Sequence, residues 1–146
     1  MMLQRFKKFS KLSWNEQMLF SEALFLQLAM GLFLKIVPFK WIPKLFSNQL
    51  QETMYDKPGT RKPEHGKLNL IKAAIHHSSP YSPWKNKCLI QSLAARSMLN
   101  RRKIQSQLLI GVSKGANGRT IAHAWLKSDD FEVIEKSGDY RELYFF

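Results

Sequence analysis

The chain carries a cysteine and a histidine in segments that suit a nucleophile and its base. Cys88 lies in KCLIQSLAAR at 87–96, where the apolar residues take helical spacing, and His123 lies in the strand-like IAHAWLK. A thiol attacks a carbonyl carbon once a base has taken its proton, and imidazole does this near neutral pH. The pair therefore predicts acyl chemistry, either peptide cleavage or acyl transfer.

The surroundings of Cys88 favour a reactive thiol over a packing residue. Buried cysteines are more often small core residues, but this one is predicted in the first turn of a helix, where free N–H groups and the helix dipole stabilise a thiolate. Lys85 and Lys87 add positive charge. The backbone N–H of Cys88 is a donor for an oxyanion. The sequence leaves the second donor open among three residues: Trp84, Asn86 and Gln91.

A group that orients the histidine must come from outside a long stretch without carboxylates, because residues 65–128 contain no Asp or Glu. A three-residue hairpin loop at 128–130 would place Glu135 opposite His123, with Cβ atoms about 5 Å apart. A two-residue loop would turn Glu135 to the other face. Asp139 is the reserve candidate. The other nearby acids are Glu132 and two residues with the sequence context of a turn, Asp129 and Asp130.

The first long element is predicted to be a helix with clear ends. Ser13 and Glu16 form a capping box, and Pro38 stops the apolar run that follows. Polar residues interrupt that run, so no stretch reaches the ~20 apolar residues of a membrane span. We expect a helix that is buried on most faces, packed against the domain or against a partner, with contact to a membrane surface as the alternative.

The rest of the chain predicts an α+β domain with a helical amino-terminal half and a small antiparallel sheet. Residues 1–50 form the helical region, the Pro- and Gly-rich 51–68 a linker or surface loop, and 69–146 the core. In the core, one short helix precedes the helix that begins near Cys88. Three strands follow, in the segments IQSQLLIGV, RTIAHAWLK and FEVIEKS.

Composition limits the function classes. A net charge of +12 and a pI near 10.0 favour an acidic peptide or protein, anionic lipid or nucleic acid as partner. The stretch between Arg96 and Arg119 has no aromatic residue, which counts against single-stranded nucleic acid. A single cysteine excludes an internal disulfide and favours the cytoplasm. No metal-ligand spacing or nucleotide-binding glycine motif occurs, so we expect neither metal nor cofactor. Candidate contacts to substrate or partner are Arg96, Arg101, Arg102 and Trp125.

The motifs together resemble the leader peptidases of lasso peptide biosynthesis, a transglutaminase-like branch of the papain-type cysteine enzymes. CLIQSLAARSMLNRRKIQSQLLIGV followed by AHAWL is similar to that family's cysteine helix, R-R turn, L-x-I-G-V strand and AHAW element. KLSWNEQMLFSEALFLQ and VPFKWI are similar to its helical start. The resemblance covers nearly the whole chain, and the length is similar to the stand-alone form.

This resemblance implies a cysteine protease that removes the leader from a ribosomally made precursor peptide. Cys88 matches the nucleophile and His123 the base, while Glu135 stands where the family usually has aspartate. The implied partners are the precursor, a separate leader-binding protein and an ATP-dependent cyclase. The implied location is the cytoplasm, with attachment to a membrane surface as an option.

Two other functions fit parts of the sequence. A transglutaminase-type acyl transferase would use the same triad on glutamine side chains, with an amine in place of water. A non-enzymatic module would use the basic stretch to bind an anionic partner.

Overall fold

The structure, a computed structural model, describes residues 11–41, 64–85 and 87–145. Its elements, in chain order, are helices α1 (Trp14–Ile36), α2 (His65–Ser78) and α3 (Lys87–Arg101), and strands β1 (Gln107–Lys114), β2 (Thr120–Ser128), β3 (Phe131–Ile134) and β4 (Arg141–Phe145). Single 3-10 turns occupy Phe39–Trp41 and Ser79–Tyr81. The predicted α+β class, helical first and then a small antiparallel sheet, is confirmed.

Both predicted ends of α1 are confirmed. The Glu16 backbone N–H donates to Ser13 Oγ at 3.4 Å, and the Ser13 N–H donates to Glu16 Oε2 at 2.8 Å. At the other end Val37 is extended, as residues before proline usually are. A capping box and a proline therefore set the length of this helix.

The burial of α1 differs from the prediction. Ala23, Gln27 and Gly31 are buried on the face toward the domain, but only 17% of the helix's most apolar window is buried in all. Packing against the domain alone therefore does not bury most faces of this helix. By length and composition alone, with a mean hydropathy of 1.6, the helix is able to cross a membrane. The sequence prediction considered only uninterrupted apolar runs, which are short here, although the mean hydropathy of the helix is high.

One hydrophobic core lies between the three helices and the sheet. Helix α3 is central, with Leu93, Ala94, Met98 and Leu99 at most 1% exposed. Residues of α1, α2 and strands β1 to β3 surround it. Because α1 contributes to this same core, it is part of the folding unit. Helix α2 begins at His65, so the last residues of the predicted linker are helical, and residues 51–63 of that linker lie outside the described residues.

The sheet has four antiparallel strands in the order β3-β2-β1-β4. Strand β4 was not predicted. In the β1–β2 pair, Gly111 lies opposite His123. The β2–β3 hairpin has a two-residue turn, since Ser128 pairs with Phe131, and the register shifts next to Leu126. The predicted three-residue loop is wrong, and β3 ends at Ile134, one residue before Glu135.

A buried polar contact joins α1 to α2. Gln27, 1% exposed, donates from Nε2 to Ser78 Oγ at 2.6 Å and to the Ile75 carbonyl at 3.4 Å. The Ser78 hydroxyl lies 2.7 Å from the Ala74 carbonyl oxygen. These bonds satisfy polar groups that water cannot reach.

Replacing this amide should destabilise the fold. We expect Gln27→Ala to lower the free energy of unfolding by about 1–3 kcal/mol, because the Ser78 hydroxyl and the Ile75 carbonyl lose a buried donor. Urea denaturation followed by circular dichroism measures the change. Asn15→Ala, an exposed polar change on the same helix, is the control and should stay within about 0.5 kcal/mol. Equal midpoints for the two variants would contradict the prediction.

Candidate active site

Cys88 lies in the first turn of α3, as predicted. The helix begins at Lys87, and the Cys88 side chain is half-buried. The first N–H groups of a helix have no partner inside it, and the dipole places partial positive charge there. The position therefore offers the Cys88 N–H to a developing oxyanion. Asn86, one of the proposed second donors, lies outside the described residues.

The three residues predicted to do chemistry meet at one cavity. It has a volume of about 580 Å³, and its walls come from α2, α3, β2 and the segment around the end of β3. Its lining residues include Cys88, His123, Glu135, Gln91, Lys72 and His76. A helix terminus, a strand and a strand end therefore bring together residues far apart in sequence.

The His123 ring is held by a main-chain carbonyl. Nε2 lies 3.0 Å from the carbonyl oxygen of Glu135. A carbonyl only accepts hydrogen bonds, so Nε2 carries the proton, and in the neutral ring Nδ1 is then the unprotonated nitrogen. This tautomer leaves Nδ1 as the ring nitrogen that is able to accept a proton.

Two aromatic rings fix the plane of the imidazole. The Tyr140 ring stacks on His123 with centroids 4.9 Å apart, and the Trp125 ring lies 6.1 Å away and nearly parallel. Trp125 is only 2% exposed, so it packs beside His123 and is not a surface contact for a partner. Sequence reasoning missed Tyr140, which lies just before the unpredicted strand β4. The signal available was an aromatic residue following the Ser-Gly-Asp turn.

Glycine at position 111 makes room for this cluster. A Cβ atom there would lie 2.9 Å from the Trp125 ring and 2.8 Å from the Arg141 carbonyl oxygen. Both distances are shorter than van der Waals contact allows. Because Gly111 pairs with His123, a side chain at this position would displace the ring that packs beside the base.

The Glu135 carboxylate has a different partner from the predicted one. Lys72 Nζ binds Glu135 Oε1 at 2.7 Å, and the Glu135 side chain is 65% exposed. The hydrogen bond and charge of Lys72 lower the pKa of this carboxyl, and His76 adds to the lowering against a desolvation effect. The predicted register is thus corrected: Glu135 reaches His123 through its backbone oxygen. Asp139, the reserve candidate, is exposed.

This arrangement predicts a small effect for a change of the carboxylate alone. Because Glu135→Gln keeps the main-chain carbonyl at Nε2, we expect kcat/KM for the carbonyl chemistry of Cys88 to stay within about tenfold of the wild-type value. The assay is peptide cleavage at neutral pH followed by mass spectrometry. Asp139→Asn, another exposed acid in the same segment, is the matched control.

A second readout reports whether the ion pair forms in solution. Since the folded pKa of Glu135 is lowered, the pair stabilises the fold above the ordinary carboxyl pKa, and this is lost as pH falls through the folded pKa. The melting temperatures of wild type and Glu135→Gln should therefore converge in acid. A loss of activity of about 10² or more would instead show that the carboxylate turns to the ring, as triad acids do.

Two of the candidate oxyanion donors are described, and they lie in different places. Gln91 lines the cavity one helical turn after Cys88 and donates from Nε2 to Ser79 Oγ. Trp84 is half-buried beneath Lys35, whose Nζ lies 5.0 Å from the ring centroid. Of these two, Gln91 is the one that lines the cavity, and its amide nitrogen has a second N–H besides the one donated to Ser79.

The three arginines predicted to contact substrate or a partner lie in two different environments. Arg96 is 3% exposed, and burial lowers the pKa of its guanidinium, so it lies inside the domain. Arg101 and Arg102 bind Glu22 of α1, at 3.2 and 2.7 Å. These arginines connect α3 to α1. Among the described residues, no group of three or more His, Cys, Asp or Glu side chains is placed to hold a metal ion.

Comparison with models of protein families gives a match over most of the chain. Residues 33–144 match the model of the transglutaminase-like superfamily. The matched region runs from the end of α1 through α2, α3 and nearly all of the sheet, and it contains both Cys88 and His123. Searches of curated proteins and of solved structures gave no significant match.

Proposed function

Because the chain belongs to the transglutaminase-like superfamily, we propose that it is a cysteine protease that removes the leader from a ribosomally made lasso peptide precursor. The observation that carries the enzyme class is the shared cavity of Cys88 and His123. The substrate class is supported by the sequence resemblance to lasso leader peptidases. Its motifs lie on α3, β1 and β2, the elements that carry Cys88 and His123 and the strand between them. Superfamily membership alone supports cysteine-dependent acyl chemistry.

The proposed reaction follows the positions of these groups. His123 Nδ1 takes the thiol proton of Cys88, and the thiolate attacks the carbonyl carbon of the scissile bond. The Cys88 N–H and the Gln91 amide stabilise the oxyanion. Collapse of the tetrahedral intermediate breaks the C–N bond, and the imidazolium protonates the leaving amine. A water, deprotonated by His123, then hydrolyses the thioester and restores the thiol.

The roles of the surrounding residues follow from the same geometry. The Glu135 carbonyl keeps the proton on Nε2, and Tyr140 and Trp125 hold the ring plane. The main-chain acceptor therefore takes the place of the acid that orients histidine in other triads. The Lys72–Glu135 pair anchors the segment that carries this carbonyl.

The partners are part of the proposal. The precursor peptide is the substrate, a leader-binding protein presents it, and an ATP-dependent cyclase consumes the freed amino terminus. The net charge of +12 supports an acidic or anionic partner. The proposed location is the cytoplasm.

The test is incubation of the full chain with a lasso precursor, with and without a leader-binding protein, followed by mass spectrometry. Cleavage at the leader–core junction supports the proposal. A precursor that stays intact, but gains the mass of an added primary amine at glutamine with loss of ammonia, would identify a transglutaminase-type acyl transferase, the alternative that superfamily membership favours. No reaction in either assay, with the partner present, would overturn both.

A further inference from the structure

The outward face of α1 is an exposed apolar strip, called here the outer stripe. Its members, with their exposed fractions, are Trp14 (75%), Met18 (58%), Phe25 (70%), Leu28 (38%), Leu32 (55%) and Ile36 (73%). At 100° per residue they fall within an arc of about 80°. The stripe runs the length of the helix, about 33 Å at 1.5 Å per residue.

The outer stripe is a second apolar face on a helix that already has one. The opposite side packs on the core through Ala23 and, partly buried, Leu19, Leu26, Met30 and Leu34. Packing on the core needs only one such face. Large contiguous apolar patches are rare on the surfaces of soluble monomers and mark contact surfaces. The outer stripe therefore has the composition of a surface that is buried by a binding partner.

The residues around the outer stripe indicate which kind of partner covers it. Exposed lysines lie near both ends, Lys11 before the helix and Lys35 and Lys40 at its carboxyl end. Trp14 begins the stripe, and Trp41, 55% exposed, lies just beyond its other end. Tryptophan and lysine flanking an apolar surface are typical of the interface between a membrane and water.

A groove beside the helix extends the same surface. It has a volume of about 870 Å³, with Met18 and Phe25 of the outer stripe and Leu70 of α2 in its wall. Lys67 and Arg101, 54% and 68% exposed, are also among its residues, and each is paired with a carboxylate of the same groove, Glu64 and Glu22. The groove therefore extends the apolar surface, while its basic side chains are balanced by these carboxylates.

The polar contacts of α1 exclude a crossing helix in this fold. Glu22 binds Arg101 and Arg102, and Gln27 binds Ser78 inside the domain. A helix inserted across a bilayer would have to break these contacts and expose the core. A helix lying in the plane of the interface keeps them and immerses only the outer stripe.

We infer that the outer stripe docks the protein onto the surface of an anionic lipid bilayer, with α1 parallel to the membrane plane. Anionic lipid is preferred to a second copy of the chain because two copies would bring like charges of +12 together. This docking is independent of the cysteine chemistry. Docking would keep the active-site cavity close to the membrane, and therefore close to substrates and partners that are attached to it.

The test is flotation of the full chain with mixed phosphatidylcholine–phosphatidylglycerol vesicles and with pure phosphatidylcholine vesicles. We expect the chain to float with the anionic vesicles and far less with the neutral ones. Salt at 1 M, where the Debye length is about 3 Å, should reduce binding without abolishing it. A chain that stays at the bottom of the gradient with both vesicles would overturn the inference, as would equal flotation with both.

A pair of variants isolates the outer stripe. Phe25→Lys with Leu32→Lys should reduce the floating fraction about tenfold, because charge is placed in the immersed face. Ile121→Lys with Leu143→Lys adds the same charge at exposed apolar residues of the sheet, 49% and 51% exposed, and should float like wild type. Equal flotation of both pairs overturns the proposal.

The oligomeric state provides the last arm of the test. Analytical ultracentrifugation without lipid should show a monomer for wild type and for both pairs. A wild-type dimer that Phe25→Lys with Leu32→Lys dissociates, together with no vesicle binding, would show that a second copy covers the outer stripe instead.

Discussion

Replacing Cys88 by alanine should abolish leader cleavage and leave the fold intact. In the proposed mechanism the thiol is the nucleophile, and the removal of a nucleophile that acts as a unit with its base costs at least about 10³-fold in rate. Cys88 is half-buried at the start of α3, beside an open cavity, and the loss of one sulfur atom there leaves no large void in the core. The measurement is precursor cleavage by mass spectrometry, with circular dichroism as the check on folding.

A second cavity residue provides the control for this variant. Asn69→Ala changes an exposed polar side chain that lines the same cavity from α2 and should leave cleavage within about tenfold. Full activity of Cys88→Ala would show that the thiol takes no part. The chain has only one cysteine, so no other thiol is able to substitute for it.

His123→Ala should reduce cleavage by about 10²–10⁴-fold, because the thiol then lacks its base and the leaving amine lacks its acid. Raising the pH should restore part of the rate by ionising the thiol directly. The double variant Cys88→Ala with His123→Ala should be no slower than Cys88→Ala alone, since residues that act as a unit fail together. Pre-steady-state release of the core peptide, whose amine is the leaving group, measures the acylation step.

His77→Ala is the matched histidine control. His77 is exposed on α2 and is not among the residues that line the cavity, so its loss should leave the cleavage rate and its pH profile unchanged. A His123→Ala rate equal to wild type at neutral pH would remove the base from the mechanism. Losses that multiply in the double variant would mean that the two residues act in separate steps.

The positions of Cys88 and His123 were predictable because each depends on a local pattern. Apolar spacing and preceding prolines locate the start of α3, and alternation locates β2. The strand β4 was not predicted, since its pairing with β1 involves a register shift between Ile110 and Gly111 that periodicity does not reveal. Tyr140 was missed for the same reason.

The sequence predicted that Glu135 contacts His123, but not that the contact is made by the main-chain oxygen of Glu135. Turn length decided the outcome: Asp129 takes φ of 54°, a left-handed conformation that aspartate tolerates better than most residues. The hairpin then closes in two residues, and the bulge beside Leu126 moves Glu135 past the end of β3. The alternation of residues along a strand predicts which side chains face each other. It therefore could not have identified a backbone carbonyl as the hydrogen-bond acceptor of His123.

The exposed face of α1 was also beyond a sequence prediction. Apolar residues on two opposite faces give little periodic contrast, so the pattern resembles that of a fully buried helix. Only the packing against α2 and α3 shows which face lies inside.

The buried amide of Gln27 has a consequence for how α1 is seated. Four residues away on either side, about 6 Å along the axis, the same face carries Ala23 and Gly31. A Cβ atom at position 31 would overlap the Trp84 ring, so shape blocks a slide of one turn, which would bring Gln27 or Lys35 to that place. The observed register is also the one that gives the buried amide its partners, the Ser78 hydroxyl and the Ile75 carbonyl, and without them the amide would be left unsatisfied at about 1–3 kcal/mol. A glycine and a polar side chain thus index the helix, and the direction in which its outer residues point is fixed relative to Cys88.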